Sequence, residues 1–303
     1  MKAVTKSTGR VEPIIFHTIN TIFMLFVVVL TLYPFLHTLA VSLNDGSDTL
    51  IGGIYIWPRA WTMENYRAVF ISGTIYHAAF ISVSRTVLST VLGVFLTTML
   101  AYTLAQKQYI FRKKIGMLFI LTMFFNAGLI PNYFLIKQLG LLHSFMVYIL
   151  PSLVSAFNLI IIRTYIRSLP DGLSESAKID GAGDFKIFWK IIFPLCTPVL
   201  ATVALFIAVG SWNSWFDTFL YASSDVKLST LQYEMMKLLG STMSTNNDPS
   251  MISGNQHNQV QALVTPASIR AAITIVTAVP ILLVYPFLQK YFVVGLNLGS
   301  VKE

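Results

Sequence analysis

The segment from Leu169 to Pro194 concentrates residues with a specific physical use, and that use is to shape a surface. It reads Leu-Pro-Asp-Gly-Leu-Ser-Glu-Ser-Ala-Lys-Ile-Asp-Gly-Ala-Gly-Asp-Phe-Lys-Ile-Phe-Trp-Lys-Ile-Ile-Phe-Pro. Pro170 suits the position before a helix and not its interior. Asp171 or Ser174 is expected to cap the first turn, and the helix is expected to run to about Ile179. Gly181 and Gly183 permit a sharp turn, after which Asp184 is expected to cap a second helix. Phe185, Phe188, Trp189 and Ile192 recur at i, i+3, i+4 and i+7, one apolar face. Two readings fit. The small residues Ser176, Ala177, Gly181 and Ala182 let the first helix lie close in a groove of another protein. Alternatively, the segment is an interfacial amphipathic helix that anchors a loop.

Residues for catalysis or metal binding are sparse. The histidines, His17, His37, His77, His143 and His257, are scattered, with no His-Glu-x-x-His spacing. No nucleophile–base arrangement is legible. The single cysteine, Cys196, lies in an apolar stretch and reads as a small buried residue; an intrachain disulfide or cysteine metal site is excluded. No Gly-rich phosphate loop ending in Gly-Lys-Ser/Thr is present, so the chain is not expected to hydrolyse ATP.

The elements that must position this segment follow from composition. Of 303 residues, 55% are hydrophobic and 11% charged, against about 25% charged in soluble chains. The mean hydropathy is +0.68. So little charge cannot cover a water-exposed surface of this size, and an all-α polytopic membrane protein is expected. A crossing takes about 20 apolar residues. Six stretches qualify: Ile14 to Leu43, Ala79 to Gln106, Ile115 to Ile136, Gln138 to Ile162, Ile191 to Phe216 and Ala271 to Gln289. The third and fourth, joined around Gly140, are expected to form a tight helical hairpin. The first is too long for the apolar core of a cleaved signal and reads as an uncleaved span.

The net charge of +8 does not imply nucleic acid, because the basic residues form short clusters between apolar runs and no nucleic-acid motif is present. Lys2, Lys6 and Arg10 precede span one. Lys107, Arg112, Lys113 and Lys114 follow span two, and Arg163, Arg167, Lys178, Lys186 and Lys190 follow span four. Their alternation with poorer loops predicts both termini in the cytoplasm. The outer loop 44–77 carries Trp57 and Trp61, residues that favour an interface. The outer loop 222–269 is polar, above all from Gly240 to Gln261, and suits ordering by a partner. The expected organisation is an N-terminal part, 1–78; a core of 79–290 containing a cytoplasmic helical segment at about 171–188 and the outer loop 222–269; and a cytoplasmic tail, 291–303.

Glu175-Ser176-Ala177, Gly181, Ile191 and Phe193-Pro194 resemble the cytoplasmic coupling motif of permease subunits of binding-protein-dependent ABC importers. That motif is Glu-Ala-Ala, three residues, Gly, nine residues, Ile, one residue, Leu-Pro. Every spacing is kept; Ser176 and Phe193 are the departures. Ile179-Asp180-Gly181-Ala182 is similar to the carbohydrate branch. So are Tyr33-Pro34-Phe35 with Ser42-Leu43, Trp212-Asn213 with Phe216, and Gln289-Lys290-Tyr291-Phe292 with Gly295 and Gly299-Ser300-Val301-Lys302, although Glu303 replaces a usual Gly.

The resemblance implies a type I ABC importer permease fold with six transmembrane helices in a bacterial cytoplasmic membrane. It implies a second, usually different, permease chain, two ATPase subunits that bind ATP and Mg, and an extracellular solute-binding protein that delivers a sugar. Glu175, Ser176, Ala177, Asp180, Gly181 and Ala182 are then expected to contact or shape the ATPase cleft. The loop 222–269 is expected to reach toward the binding protein, and Gly295 to Lys302 toward the ATPases. This chain would bind no cofactor of its own and would not be an enzyme.

Polar residues within apolar spans tend to face the protein interior. Asn126, Asn132, Asn158, Asn213 and Asp217 are therefore candidates for the substrate path, with Trp212, Trp215, Phe124 and Phe125 as stacking partners. The other reading of such residues is helix–helix adhesion. Pro131, Pro151 and Pro280 are positions for kinks. A secondary transporter would place paired ionisable residues at midplane; Arg85 is the clearest charge in a span and lies near its outer end.

Overall fold

The structure, a computed structural model, describes residues 11–71, 73–245 and 264–300. The described residues are helical, with one isolated bridge between Asn44 and Trp61 and no strands. In chain order the helices are α1 (Val11–Ser42), α2 (Gly46–Ile51), α3 (Glu64–Ile71), α4 (Thr74–Ala105), α5 (Arg112–Phe124), α6 (Leu129–Gln138), α7 (Ala156–Ser168), α8 (Gly172–Ile179), α9 (Asp184–Ile187), α10 (Phe193–Leu195), α11 (Thr197–Asn213), α12 (Phe216–Ala222), α13 (Leu231–Thr245) and α14 (Pro266–Ser300). Two units form: Met1–Ile71 with Ser241–Val276, and Ser72–Gly240 with Thr277–Glu303.

In the first unit, α1 leaves its apolar side chains open to the surroundings on nearly every face. Such a helix needs hydrocarbon around it. The chain after α1 is organised by two buried asparagines. The Asn44 Oδ1 accepts from the backbone N–H groups of Arg59 (2.8 Å) and Ala60 (2.9 Å), and its Nδ2 donates to Asp48 at 2.9 Å. The Asn65 Nδ2 donates to the carbonyls of Ser42 and Asn44. Arg59 closes the loop on Asp48 (3.1 Å) and the Gly52 carbonyl (2.7 Å). Asp45 caps α2, and hydrogen bonding from Ser47 holds its carboxyl below the usual value; the Asn44 amide and Arg59 do the same for Asp48. Trp57 and Trp61 meet edge to face at 5.3 Å, both exposed.

The second unit is built around α4. Its buried positions Ala78, Ser82, Ser89, Gly93, Thr97 and Ala101 recur at helical spacing and are small. Small seams let helices approach closely where water supplies no hydrophobic drive. A Cβ on Gly93 would meet Ile207 at 3.1 Å and the Leu153 carbonyl at 3.4 Å, so α11 and the chain before α7 press on this seam. The core against it comprises Leu104, Leu159, Ile162, Ile187, Phe188, Cys196 and Val203. Cys196 is fully buried, as its apolar setting predicts.

Three helices are each long and apolar enough to cross a membrane: Ile15–Ser42, Thr74–Ala105 and Pro266–Pro286. Two bent pairs pass only together, Phe145–Ser152 with Ala156–Ser168 (49°) and Asp184–Leu195 with Thr197–Asn213 (80°). The described residues thus hold three to five such spans. The stretch Ile115 to Ile136 is not one helix. Phe125 to Gly128 separate α5 from α6, because the Asn126 Oδ1 accepts from the Gly128 N–H (2.9 Å) and Gly128 adopts φ +86°. An asparagine side chain that bonds local backbone competes with the helix. Pro131 sits harmlessly in the first turn of α6, Pro151 in a 3₁₀ turn, and α14 continues through Pro280.

The 80° bend has a chemical cause. Pro194 and Pro198 flank Cys196 four residues apart, so Pro198 offers no N–H to the Pro194 carbonyl. The Thr197 hydroxyl donates to it instead, at 2.6 Å. The expected polar loop 222–269 also differs: its first half is helical, as α13. Most of Gly240 to Gln261 lies outside the described residues, as does the end of the 291–303 tail after Ser300. In α14, Thr265 and Ser268 exchange backbone-to-side-chain hydrogen bonds at 3.1 and 3.3 Å, a reciprocal cap ahead of Pro266 at the first helical position.

Candidate functional site

α8 is a surface helix held at both ends. At its C-terminus, Gly181 adopts φ +77°. Its N–H donates to the Lys178 carbonyl (3.0 Å), and the Ala182 N–H donates to the Ala177 carbonyl (2.9 Å). This is a Schellman motif, with the small pair Ala177 and Ala182 packed on the core beneath. The Gly in the sequence signature therefore has a backbone reason: a left-handed residue is needed there. Lys178 and Asp184 pair at 3.3 Å across the turn.

The caps differ from expectation. Asp171 occupies the N-cap position of α8, but its side chain makes no capping bond and pairs with Lys107. Gly183, not Asp184, occupies the N-cap position of α9, because the Asp184 carboxylate is turned back to Lys178. The small residues also divide. Ser176 and Gly181 face outward, whereas Ala177 and Ala182 are half-buried against this chain's own core. Inward positions Ser174, Ala177 and Lys178 follow i, i+3, i+4, which leaves Leu173, Glu175, Ser176, Ile179 and Asp180 exposed. Ile179 is 87% exposed, the most exposed apolar side chain of this helix. Sequence reasoning did not single it out as a site residue; its signal was an apolar residue between polar ones just ahead of the glycine.

The single apolar face expected over Phe185 to Ile192 is split. Phe188 and Ile192 are buried together with Ile187, while Phe185 and Trp189 are exposed. A π turn over Phe188–Ile192 causes the shift, with the Phe193 N–H donating to the Phe188 carbonyl. A π turn advances fewer degrees per residue than an α turn, so the face moves by about one position. Trp189 instead stacks on Phe193 at 5.2 Å and meets Phe95 at 6.0 Å.

The polar candidates within spans fall into separate settings. Phe124, Phe125 and Asn126 lie exposed at the α5–α6 break. Asn132 lines a cavity of about 550 Å³ with Leu150 and Tyr221. Asn158 is buried in α7. The Trp212 ring is buried, and its Nε1 donates to the Thr277 carbonyl of α14 at 3.1 Å. Asn213 is exposed at the end of α11, and Trp215 is half-buried beside Phe216 and Phe219. Asp217 faces a partner that sequence reading did not assign. Arg85 donates to both of its carboxylate oxygens, at 2.6 and 3.3 Å, and to the Ser214 carbonyl, with its guanidinium 4.6 Å from the centre of the Tyr148 ring. The Arg85 side chain is 3% exposed and that of Asp217 is 22% exposed. The pair joins α4 to α12, residues far apart in sequence, so no local spacing announces it. Among the described residues no group of three His, Cys, Asp or Glu side chains is arranged to hold a metal ion.

Comparison with known proteins adds to this geometry. Residues 79–297 match the family described as binding-protein-dependent transport system inner membrane component. The chain is 35% identical over 280 residues to the polygalacturonan/rhamnogalacturonan transport system permease protein YtcP of Bacillus subtilis, covering 92% of this chain and 96% of that one. It is 37% identical to protein LplC of the same organism, covering 95% of each. It is 29% identical to the arabinooligosaccharides transport system permease protein AraQ of Bacillus subtilis, covering 93% and 94%. Its fold matches a chain in the crystal structure of a bacterial ABC transporter involved in the import of the acidic polysaccharide alginate. There the TM-score is 0.82 at 27% identity, with 95% of this chain and all of that chain covered. With a span-forming helical fold and a capped surface helix at the motif's position, the chain belongs to the binding-protein-dependent transport system inner membrane component family.

Proposed function

We propose that this chain forms half of the translocation pathway of an ATP-driven carbohydrate importer, and that α8 docks on its ATPase subunit. The observation that carries the docking role is the form of α8. It is clamped from inside by Ala177, Ala182 and the Gly181 turn, and it presents Glu175, Ser176, Ile179 and Asp180 outward. A helix fixed to its own core transmits a push; a loose loop absorbs it.

The reading has the chain crossing a bacterial cytoplasmic membrane six times, with the broken α5–α6 stretch as the third crossing and both termini in the cytoplasm. The alternation of basic loops supports this orientation. Residues 79–290 are read as the permease core and 291–303 as a tail near the ATPases. A second, homologous permease completes the pathway, and an extracellular solute-binding protein delivers the ligand, with the 222–269 region as its contact. ATP and Mg belong to the two ATPase subunits, whose closure would move α8. Substrate-path roles are read for Asn126, Asn132, Asn158, Trp212, Asn213, Trp215 and Asp217. The named relatives serve polygalacturonan, arabinooligosaccharide and alginate systems, which supports an oligosaccharide as cargo.

The test is purification from the native host in mild detergent, followed by identification of what accompanies the chain. A second permease, an ATPase and a binding protein that retains an oligosaccharide are expected. A stable homo-oligomer without an ATPase would overturn the proposal.

A further inference from the structure

Beside α8 a cavity of about 610 Å³ opens between the end of α4, the start of α5 and α7. Its charge is one-sided. Lys107, Arg112, Lys113, Arg163, Arg167 and Lys178 line it, against only Asp171 and Glu175. Asp171 is taken by Lys107, and Lys178 is held by Asp184. The surplus therefore rests on the three arginines and Lys113, which outnumber the one remaining carboxylate, Glu175. Arg163 donates to the Leu104 carbonyl at 3.2 Å and Arg112 to the Gln106 carbonyl at 3.5 Å, bonds that neutralise no charge. Like charges around one cavity repel, and a bound anion relieves that repulsion.

The rest of the wall suits a headgroup. The Tyr102 ring, 6% exposed, closes one side of the same cavity. The remaining wall includes Ala105 at the end of α4, Ile166 and Leu169 at the end of α7, and Ile192 in the π turn, an apolar side that suits the non-phosphate part of such a ligand. Arginine forks match phosphate oxygens in a bidentate way.

We propose that this cavity binds the phosphate group of an anionic ligand, with Arg112, Arg163 and Arg167 as its cationic frame. An anionic phospholipid headgroup and a soluble phosphate monoester share this chemistry. Because Lys107 and Asp171 join the cavity wall to the first turn of α8, occupancy would brace that helix. Binding is read separately from transport, so the proposal stands or falls apart from the docking role of α8.

The experiment uses the transporter purified with its partner subunits. It is titrated with short-chain phosphatidylglycerol, with glycerol 1-phosphate and with short-chain phosphatidylcholine, and bound molecules are counted by native mass spectrometry. Saturable binding of phosphatidylglycerol or glycerol 1-phosphate, one per copy of this chain, is expected, and whichever binds identifies the source. Arg112→Gln and Arg167→Gln should each weaken it about fivefold. Lys114→Gln makes the same charge change outside the cavity and should leave binding intact. Equal binding by the wild type and both arginine variants would overturn the proposal. So would phosphatidylcholine binding as tightly as phosphatidylglycerol, or an equal loss with Lys114→Gln. Loss of the ATPase subunit in place of the phosphate ligand would assign the cavity to the protein interface and also overturn it.

Discussion

Replacing Gly181 separates two reasons for a glycine at this turn. The residue sits at φ +77°, and a Cβ built there meets nothing within 4 Å. The cost of a side chain is therefore conformational, about 1–2 kcal/mol for an ordinary L-residue in the left-handed region. Asparagine visits that region more readily and should cost less. The motif at risk is two hydrogen bonds, at 3.0 and 2.9 Å, each contributing about 0.5–1.5 kcal/mol net. Loss of the whole cap thus costs α8 about 1–3 kcal/mol, enough to loosen the end that bears Ile179 without unfolding the unit, whose core lies beneath. We expect Gly181→Asn to retain most ATPase association, Gly181→Ala to weaken it and Gly181→Val to weaken it more. Gly181→Asp should abolish it by adding charge to the outward face. All four should remain in the membrane at wild-type levels. The assay is co-purification of the ATPase at fixed expression, paired with uptake of substrate. If Gly181→Val recovers as much ATPase as the wild type, the turn geometry is irrelevant to docking and the argument from the Schellman motif fails.

Ile179→Ala should weaken ATPase association by about 1.5–3 kcal/mol, the worth of burying such a side chain in a partner, while thermal unfolding of the isolated chain stays unchanged; equal association would remove Ile179 from the interface. Asp217→Asn leaves the Arg85 guanidinium buried without its counter-charge, at a cost near the lower end of about 3–5 kcal/mol because Asp217 is partly exposed. A melting curve in detergent should show this, and Arg85→Met with Asp217→Leu should recover part of the loss. Asp45 and Asp48 have carboxyl pKa values below the ordinary 3.8, so their contribution is complete above 3.8 and fades as pH falls through the lower folded values. Emission from the Trp57–Trp61 pair should therefore hold steady down to about pH 4 and change below it, and a transition near neutral pH would contradict the sign.

What the sequence made legible was whatever rests on composition and local spacing. Low charge with long apolar runs dictated membrane helices, and α1, α4 and α14 appear where a run of apolar residues is continuous. The fixed spacing from Glu175 to Pro194 located the surface helix, its glycine turn and the lead-in to α11. Local rules failed where a charge outside the helix's own first turn competed for a capping side chain: Asp171 was drawn to the remote Lys107, and Asp184 back across the turn to Lys178. They failed again where backbone geometry departed from the α period, as in the π turn that buries Ile187 in place of Phe185. Only the tertiary structure brought Arg85 to Asp217 and Tyr148, gathered the basic residues of three segments around one cavity, and turned Ala177 and Ala182 inward while Ile179 points out. Periodicity tells which residues share a face, but the direction of that face is set by the neighbours packed against it, and those come from remote parts of the chain.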